Sequence, residues 1–447
     1  MGVWNGRDPA QSGGGLKRMA QDYADSAVPD GATVHGLQIA MVITGIGATL
    51  PMFTLGTQIA SAQGLKLAAG ISILACGMVG VLALFTSIAG ARCRMSTYQI
   101  LTFSFGTRGV QLVNFLLAVM LIGWYATVAD MLGAAVQQAS AAMFGLLWPK
   151  WPYTLAALVL MTLTGIFGFY VVERFVRVTV PLLTALMGYV VWLSVSRHGL
   201  TPAFAHAGDH SLSSVDALSS VIGAIILTAV LAPDLSRYAR NDWNAVLSVL
   251  GVVIGFPAML LLAAIPAAIY GRHDLMDVMT LLQIPGLAIV VLVISTWTSN
   301  TCNLYSATLT LATLFRRVST VHLGVWGALV ALVAAVGGIA DYFIPLLIGL
   351  GIVSAPLAGV YVVDFFVLRE RVYDPRTLSE LPAIRVTAFV AWLLGSAVGL
   401  VETYAGHALT GVPAVDSILI AALGQVLMNS ARLRLRLRPR HPPVERS

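Results

Sequence analysis

Residues 41–53 read MVITGIGATLPMF. The stretch is apolar enough to lie in lipid, yet Gly45, Gly47 and Pro51 fall in its middle. A helix in hydrocarbon must satisfy its backbone groups internally, so unwound chain at that depth is tolerated only beside protein or a watery cavity. Proline removes one donor outright. The stretch therefore predicts a membrane helix interrupted near its midpoint, with the interruption bordering a cavity.

The rest of the chain calls for the same solvent. Of 447 residues, 58% are hydrophobic and 10% charged, and the mean hydropathy is +0.85. Soluble domains carry about 25% charged residues, so this chain could not keep an aqueous surface wetted. A crossing helix needs roughly 20 apolar residues. Twelve such stretches are present, near 35–57, 66–90, 110–138, 152–172, 176–195, 214–233, 244–270, 284–313, 321–340, 343–368, 384–403 and 412–430. With the N-terminus inside, cytoplasmic segments should hold the Lys and Arg. They hold 22 of the 26; the outer segments keep only Lys66, Lys150, Arg197 and Arg272. A wrong count would scramble that alternation. The reading is an all-α protein of the cytoplasmic (inner) membrane, twelve spans, both ends inside.

The net charge of +6 thus follows topology, and no nucleic-acid partner is expected. The arginine run Arg432 to Arg440 reads as an anchor after the last span. Three cysteines, Cys76, Cys93 and Cys302, make no disulfide framework. No HExxH helix occurs, and the eight histidines form no cluster with ligand spacing, which argues against an enzyme. His206 and His210 are four apart but fall in an outer loop.

Two further spans carry signals. The sixth reads GAIILTAVLAPDLSRYARN, with Gly223 upstream and Pro233 near its inner end. Breaks at corresponding positions of two halves point to a carrier's binding site, although Gly and Pro also serve close packing. The centre of the eighth is crowded with Ser295, Thr296, Thr298, Ser299, Asn300, Thr301 and Asn303. Such hydroxyls and amides glue helices together, but seven in nine exceeds that need. The adjacent hydroxyls of Thr298 and Ser299 suit a small alkali cation such as sodium.

At these residues the chain resembles the nucleobase–cation symporter family, in its purine/cytosine permease branch. FSFGTRG (Phe103 to Gly109) precedes the third span, and GWY (Gly123 to Tyr125) lies within it. D-x-x-R-Y-x-R-N follows the sixth as Asp234, Arg237, Tyr238, Arg240 and Asn241. WTSN (Trp297 to Asn300), Leu304–Tyr305 and Asp364–Phe365 come in the family's order. The resemblance covers nearly all of residues 35–430. It implies a leucine-transporter-like core of two inverted five-helix repeats plus two peripheral helices. The corresponding division is tail 1–34, first repeat 35–200, second repeat 201–370, peripheral helices 371–430 and basic tail 431–447. The substrate would lie between the breaks, near Gly45, Gly47, Gly223 and Ile225, with Trp124 stacking on a flat heterocycle. Sodium would take the hydroxyls of Thr298 and Ser299, with carbonyls of Ser295 and of the first-span break near Met41 and Thr44.

Departures bear on the substrate. Members that carry cytosine place a Gln three residues before the tryptophan, where this chain has Leu121; others place one four residues after it, where Val128 stands. An aromatic of the sixth helix is Ile225, and an Asn opening the eighth-helix motif is Ser295. Thr228 and Asn300 are the candidate replacements, and cytosine itself is not the expected cargo. Asp130, six residues beyond Trp124, has two readings. An ionisable group at that depth marks a functional site by default; it is either a proton carrier or counter-ion, or a hydrogen-bonded residue near the helix end. Asp234 and Arg237 read as an inner gate or a loop staple, and Asp364, Glu402 and Asp416 as interfacial. The expected activity is sodium-coupled uptake of a nucleobase or related heterocycle by a monomer without cofactors; the alternative is a proton-coupled carrier of a cationic amine centred on Asp130.

Overall fold

The structure is a computed structural model describing residues 28–167, 169–315, 317–369, 372–405 and 409–430. Side chains at 166–179, at Ser295, Thr298, Ser299, Cys302 and Leu309, and at 375, 376 and 379 lie outside that description. The described residues are almost wholly helical. In chain order they form α1 (Gly36–Gly47), α2 (Leu50–Cys93), α3 (Thr97–Phe105), α4 (Gly109–Phe144), α5 (Trp151–Phe167), α6 (Phe169–His198) and α7 (Thr201–Ala205). There follow α8 (Ser214–Val230), α9 (Ala232–Ser236), α10 (Asp242–Ser248), α11 (Phe256–Tyr270), α12 (Leu275–Leu281) and α13 (Pro285–Leu314). The chain closes with α14 (Thr320–Val336), α15 (Phe343–Val363), α16 (Val386–Ala405) and α17 (Pro413–Met428). Among the described residues, six helices are long and apolar enough to cross a membrane and six shorter apolar ones accompany them.

Among the described residues, these six long and six shorter apolar helices can be numbered along the twelve passes expected from the sequence. The first pass is α1 plus the start of α2; the second is the remainder of α2. They separate at Gly64, whose φ of 74° suits a residue without a Cβ. The turn there is clasped by the loops around Asp209 and Arg272. Asp209 and His210 donate their main-chain N–H groups to the carbonyls of Ser61 (3.1 Å) and Ala62 (2.9 Å). The Ser61 hydroxyl donates to the Arg272 carbonyl, and the Gln63 amide to that of Leu212. Three short helices outside the passes, α3, α7 and α12, carry no such hydrophobic length. α3 begins with a reciprocal capping box between Ser96 and Gln99, which satisfies two amide donors that a helix start leaves open.

Packing divides the passes into two sets. α2 runs closely along α8 and α11, while α4 runs along α13 and both meet α14. α15 seats on α8, and α16 with α17 forms a separate pair leaning on α15. The third pass, α4, hardly touches the sixth, α8.

Candidate transport site

The first pass breaks where its glycines and proline predict. α1 stops at Gly47; Ala48 and Thr49 leave helical geometry, Thr49 being extended at φ −139° and ψ 157°. Ala48 N–H turns back to Gly45 O (3.2 Å) and Thr49 N–H to Gly47 O (3.0 Å). Pro51 lies in the first turn of α2, where its missing donor costs nothing. Gly45 and Gly47 let α1 approach Val180 and Phe256 closely. Met41 and Thr44 belong to the regular part of α1, several residues before the break. The Met41 side chain is 67% exposed, and the Thr44 hydroxyl donates to Ala40 O (2.9 Å). The side chains of Ser295, Thr298 and Ser299 lie outside the described residues.

The sixth pass also breaks, but not beside Gly223. α8 continues regularly to Val230, and the departure comes at Leu231 (φ −94°, ψ 8°), just before Pro233. Gly223 instead lies flush against the Leu347 carbonyl of α15, where a methyl group would overlap main-chain atoms. Its role is close approach rather than unwinding. Ile225 is fully buried in the apolar core. Ala224, Leu227, Thr228 and Leu231 recur at helical spacing and are all half-buried, so they share one incompletely covered face. The Thr228 hydroxyl has no hydrogen-bond partner among the described residues, whereas Thr44, Thr57, Thr127, Thr184 and Thr308 each bond a carbonyl four residues back.

On α4, Trp124 is half-buried and its ring centroid lies 6.3 Å from that of Phe343, the first residue of α15. Leu121 is half-buried and Val128 buried, and neither side chain offers a polar atom. The neighbouring Tyr125 is fully buried; its hydroxyl donates to Leu158 O (3.2 Å) and bonds Thr162 (2.9 Å).

Asn300 is fully buried and bonded within the helix packing. Its amide donates to Tyr125 O (3.0 Å) and reaches Met161 Sδ (3.3 Å), while its oxygen accepts from Asn303 (3.0 Å). Trp297 Nε1 donates to the Thr164 hydroxyl (2.9 Å), and Thr301 to Trp297 O (2.7 Å). Much of the polar run of α13 thus joins α4 and α5 to it. In an apolar surround an unmade bond is costly, which explains so many paired groups.

Asp130 has partners in the structure. Fully buried, it forms an ion pair with Lys150 (2.9 Å) and accepts the Ala340 N–H (3.2 Å) from the turn before α15. The ion pair balances the buried charge and joins the third pass to the loop at Lys150 and the turn before α15.

A strongly apolar chain whose first and sixth passes are interrupted, with a half-buried tryptophan on the third, has parts a carrier would use. The family model for permeases of cytosine/purines, uracil, thiamine and allantoin matches residues 35–419. The chain belongs to this permease family. Relatives include the cytosine permeases of Escherichia coli strain K12 and of Escherichia coli O157:H7, each 29% identical over 419 residues, which cover 92% of this chain and 95% of theirs. The fold matches Mhp1 in its inward-facing conformation at a TM-score of 0.79 and 18% identity, over 93% of this chain and 94% of that one. It also matches Mhp1, described as a nucleobase-cation-symport-1 family transporter, closed on bromovinylhydantoin at 0.76 and 17% identity, over 93% and 96%. A sodium-coupled sialic acid symporter aligns at 0.63 and 14% identity, over 93% and 94%. The permease therefore has the leucine-transporter-like fold, and it is a membrane transporter rather than an enzyme.

The permease's sequence motifs find physical roles at its arginine-rich end. Asp234 accepts the Thr97 N–H that opens α3 (2.8 Å). Arg237 Nε donates to the main-chain carbonyl of Asp234 (3.2 Å), and its guanidinium lies 5.1 Å from the Tyr238 ring. Tyr238 O accepts from Val34 N–H (2.7 Å), Asn241 caps α10, and Asn244 Oδ1 accepts from Gly36 N–H (2.7 Å). The loop motif thereby ties the start of α1 to the sixth and seventh passes.

Asp364, read from sequence as interfacial, is instead fully buried at the centre of a network. It accepts from Arg369 Nε (3.1 Å), Arg385 Nη1 (2.9 Å) and Tyr373 Oη (2.8 Å). The same arginines bond Phe103 O, and the Phe103 ring stacks on Tyr373 at 4.2 Å. Gly106, at φ 89°, lets the backbone from Phe105 to Gly109 lie against Pro382, Ala383 and Arg385. The available signal was the spacing of Arg369 and Arg385 after a span-end aspartate, together with FSFGTRG.

Proposed function

We propose that this permease imports a nucleobase or a related small, flat heterocycle by symport with a cation, sodium, through alternating access. The observation that carries the reading is the interruption of the first pass at Ala48 and Thr49, with Trp124 and Thr228 half-buried on the third and sixth passes; in this reading the substrate lies between them. A break of that kind frees carbonyls and amides at membrane depth, and carriers use such groups to hold ions and solutes. Trp124 offers a large polarizable face to a planar ring. Thr228 offers one donor and one acceptor with no internal competitor. The missing glutamines leave less bidentate recognition than a cytosine site requires, which supports a different heterocycle, since a site built to bond polar edges discriminates strongly by them.

For the ion, Thr298 and Ser299 with the carbonyls of Ser295 and the first pass near Met41 and Thr44 remain the proposed ligands. The arginine-rich end faces the cytoplasm in this reading, by the excess of basic residues on that side, and the permease acts in the inner membrane as a monomer. Coupling follows if ion and solute each bind one state better than the other. The cationic-amine alternative needs an unpaired Asp130, and Lys150 supplies its partner.

The test is a thermal-shift screen of purified protein against cytosine, uracil, allantoin and hydantoin with and without sodium, followed by uptake of the best binder into proteoliposomes. A ligand that binds only the folded state raises its apparent stability. Stabilisation that needs sodium, and uptake that stops in choline, are expected; binding by none of these heterocycles, or uptake indifferent to sodium, rejects the corresponding half of the proposal.

A further inference from the structure

The helix pair α16 and α17 carries three ionisable side chains, Glu402, Tyr404 and Asp416, and two of them meet inside the seam. Small residues bring the helices together. Gly395 lies against Ser417 O and Ala421, and Gly399 against Pro413 O and the Ser417 side chain, so a methyl group at either would overlap backbone. One turn beyond Gly399, the Glu402 carboxyl lies within hydrogen-bond reach of the Asp416 carboxyl in the first turn of α17. Both residues are enclosed, Glu402 being 8% and Asp416 1% exposed.

The pair lacks a balancing charge. Asp416 accepts the Thr410 N–H on its two oxygens (3.2 and 3.0 Å), and the Leu409 main chain faces Glu402. Amide dipoles ease a negative charge without cancelling it. Glu402 Oε2 is buried and has no hydrogen-bond partner, and neither carboxyl has an ion-pair partner among the described residues. The elements packed against the seam supply none. α15 has Tyr361 as its one titratable side chain, bonded to Val230 O, and the segment after it has Asp364, already paired with Arg369 and Arg385. α8 has Asp216, bonded to Ser213, and α3 meets α16 at Phe389, thirteen residues before Glu402. Tyr404 is 84% exposed.

Two carboxylates in contact repel, and enclosure strengthens the repulsion, so such a pair does not keep both charges. A calcium ion would ask for about six to eight oxygen ligands, whereas the main chain turns N–H donors towards these oxygens. A proton asks only for the two oxygens that already meet.

We propose that Glu402 and Asp416 form a proton-binding site, and that one shared proton closes the seam between α16 and α17. The folded protein then holds a proton that the unfolded chain, with both side chains in water, gives up at pH 7. A folded state that binds the extra proton gains stability as pH falls and loses it as pH rises. The site lies on the peripheral pair, apart from the passes that bear Trp124 and Thr228, so this proton fastens helices and takes no part in coupling.

The experiment compares melting curves of the purified parental protein and Glu402→Gln from pH 5 to 9. Glutamine keeps a donor towards Asp416 at every pH. Glu402→Gln should therefore match the parental melting temperature at pH 5 and exceed it by at least about 2 °C at pH 9. The infrared difference between the two proteins at pH 7 should show the C=O band of a protonated carboxyl group, shifting in D2O. Should Glu402→Gln fail to fold, Asp416→Asn takes its place in both measurements. Parallel melting profiles, or a difference spectrum without that band, overturn the proposal. Sodium or calcium that stabilises the parental protein at pH 9 but not the variant overturns it too, by making the bound ion a metal. So does a His407→Gln protein, altered in the loop outside the described residues, that reproduces the Glu402→Gln profile.

Discussion

The Asn300 side chain donates to the Tyr125 carbonyl across 3.0 Å, joining the eighth and third passes where both residues are fully buried. The bond has a direct consequence for mutation. Asn300→Ala leaves that carbonyl's second lone pair and the Asn303 amide without partners in an apolar surround. Side-chain bonds between membrane helices contribute about 0.6–2 kcal/mol. A lower melting temperature of the detergent-solubilised protein is expected, with little change in KM for transport. A KM rise without loss of stability would instead make Asn300 a substrate ligand.

Asp130 and Lys150 should behave as a pair. Lys150→Gln strands a buried carboxylate, which costs about 3–5 kcal/mol in buried pairs; since Lys150 is partly exposed, the lower part of that range is expected. Asp130→Asn strands only an ammonium that can reach water, and should cost less. Asp130→Asn/Lys150→Gln together should recover most of the loss. Thermal stability of the three variants, with uptake from pH 5.5 to 8, checks this; abolished coupling in Asp130→Asn would revive the proton-carrier reading.

Trp124 and Thr228 should affect binding more than folding. Removing a stacking face worth about 0.5–1.5 kcal/mol raises KM roughly 2- to 10-fold for Trp124→Ala, with Trp124→Phe between. Thr228→Val removes a hydroxyl without an internal partner, so its melting temperature should stay at the parental value while KM rises. Kinetics beside melting curves separate the two effects; a destabilised Thr228→Val protein with unchanged KM refutes the assignment.

Gly223→Ala should be among the most damaging single-methyl changes. The added carbon would overlap the Leu347 carbonyl, which is backbone and cannot rotate away. Overpacking of this kind costs about 1–3 kcal/mol and sometimes more. Folded yield on size exclusion is the measurement, and a monodisperse, fully stable Gly223→Ala protein would contradict the close seat of α8 on α15.

Asp274 carries a pH prediction. It caps α12 through the Met276 N–H (2.7 Å), and burial holds its carboxyl above the usual carboxylate range. A carboxyl raised on folding contributes most below its unfolded value and progressively less as pH climbs through the folded one. Asp274→Asn keeps the acceptor and loses the buried charge. Its melting temperature should exceed the parental one at pH 7 and converge with it towards about pH 4. An Asp274→Asn protein less stable at pH 7 would show that the charge itself holds the cap.

Much of this architecture is legible in the amino-acid order because lipid imposes two strict conditions, apolar length and the sidedness of arginine. The first break is legible for a related reason: Gly45, Gly47 and Pro51 sit together where an unbroken helix would be expected. The sixth lies away from Gly223 because a glycine signals either unwinding or close approach, and only the position of Leu347 distinguishes them there. Asn300 departs from its expected role on similar grounds, since a polar run says nothing about which way each amide points. Asp364 looks interfacial in sequence because its distance from the span end is visible, while the return of Arg385 from 21 residues away is not. Pairings across long sequence separations are what composition and spacing do not encode.

The clasp around Gly64 is made mostly by main-chain carbonyls and amides from Ser61, Ala62, Asp209, His210, Leu212 and Arg272. Such a seam takes its register from the number of residues in each loop and its side-chain stitches from Ser61 and Gln63. Away from Ser61 and Gln63 the letters of this rim count for little, but a single inserted or deleted residue between 206 and 212 would throw the stitches out of step.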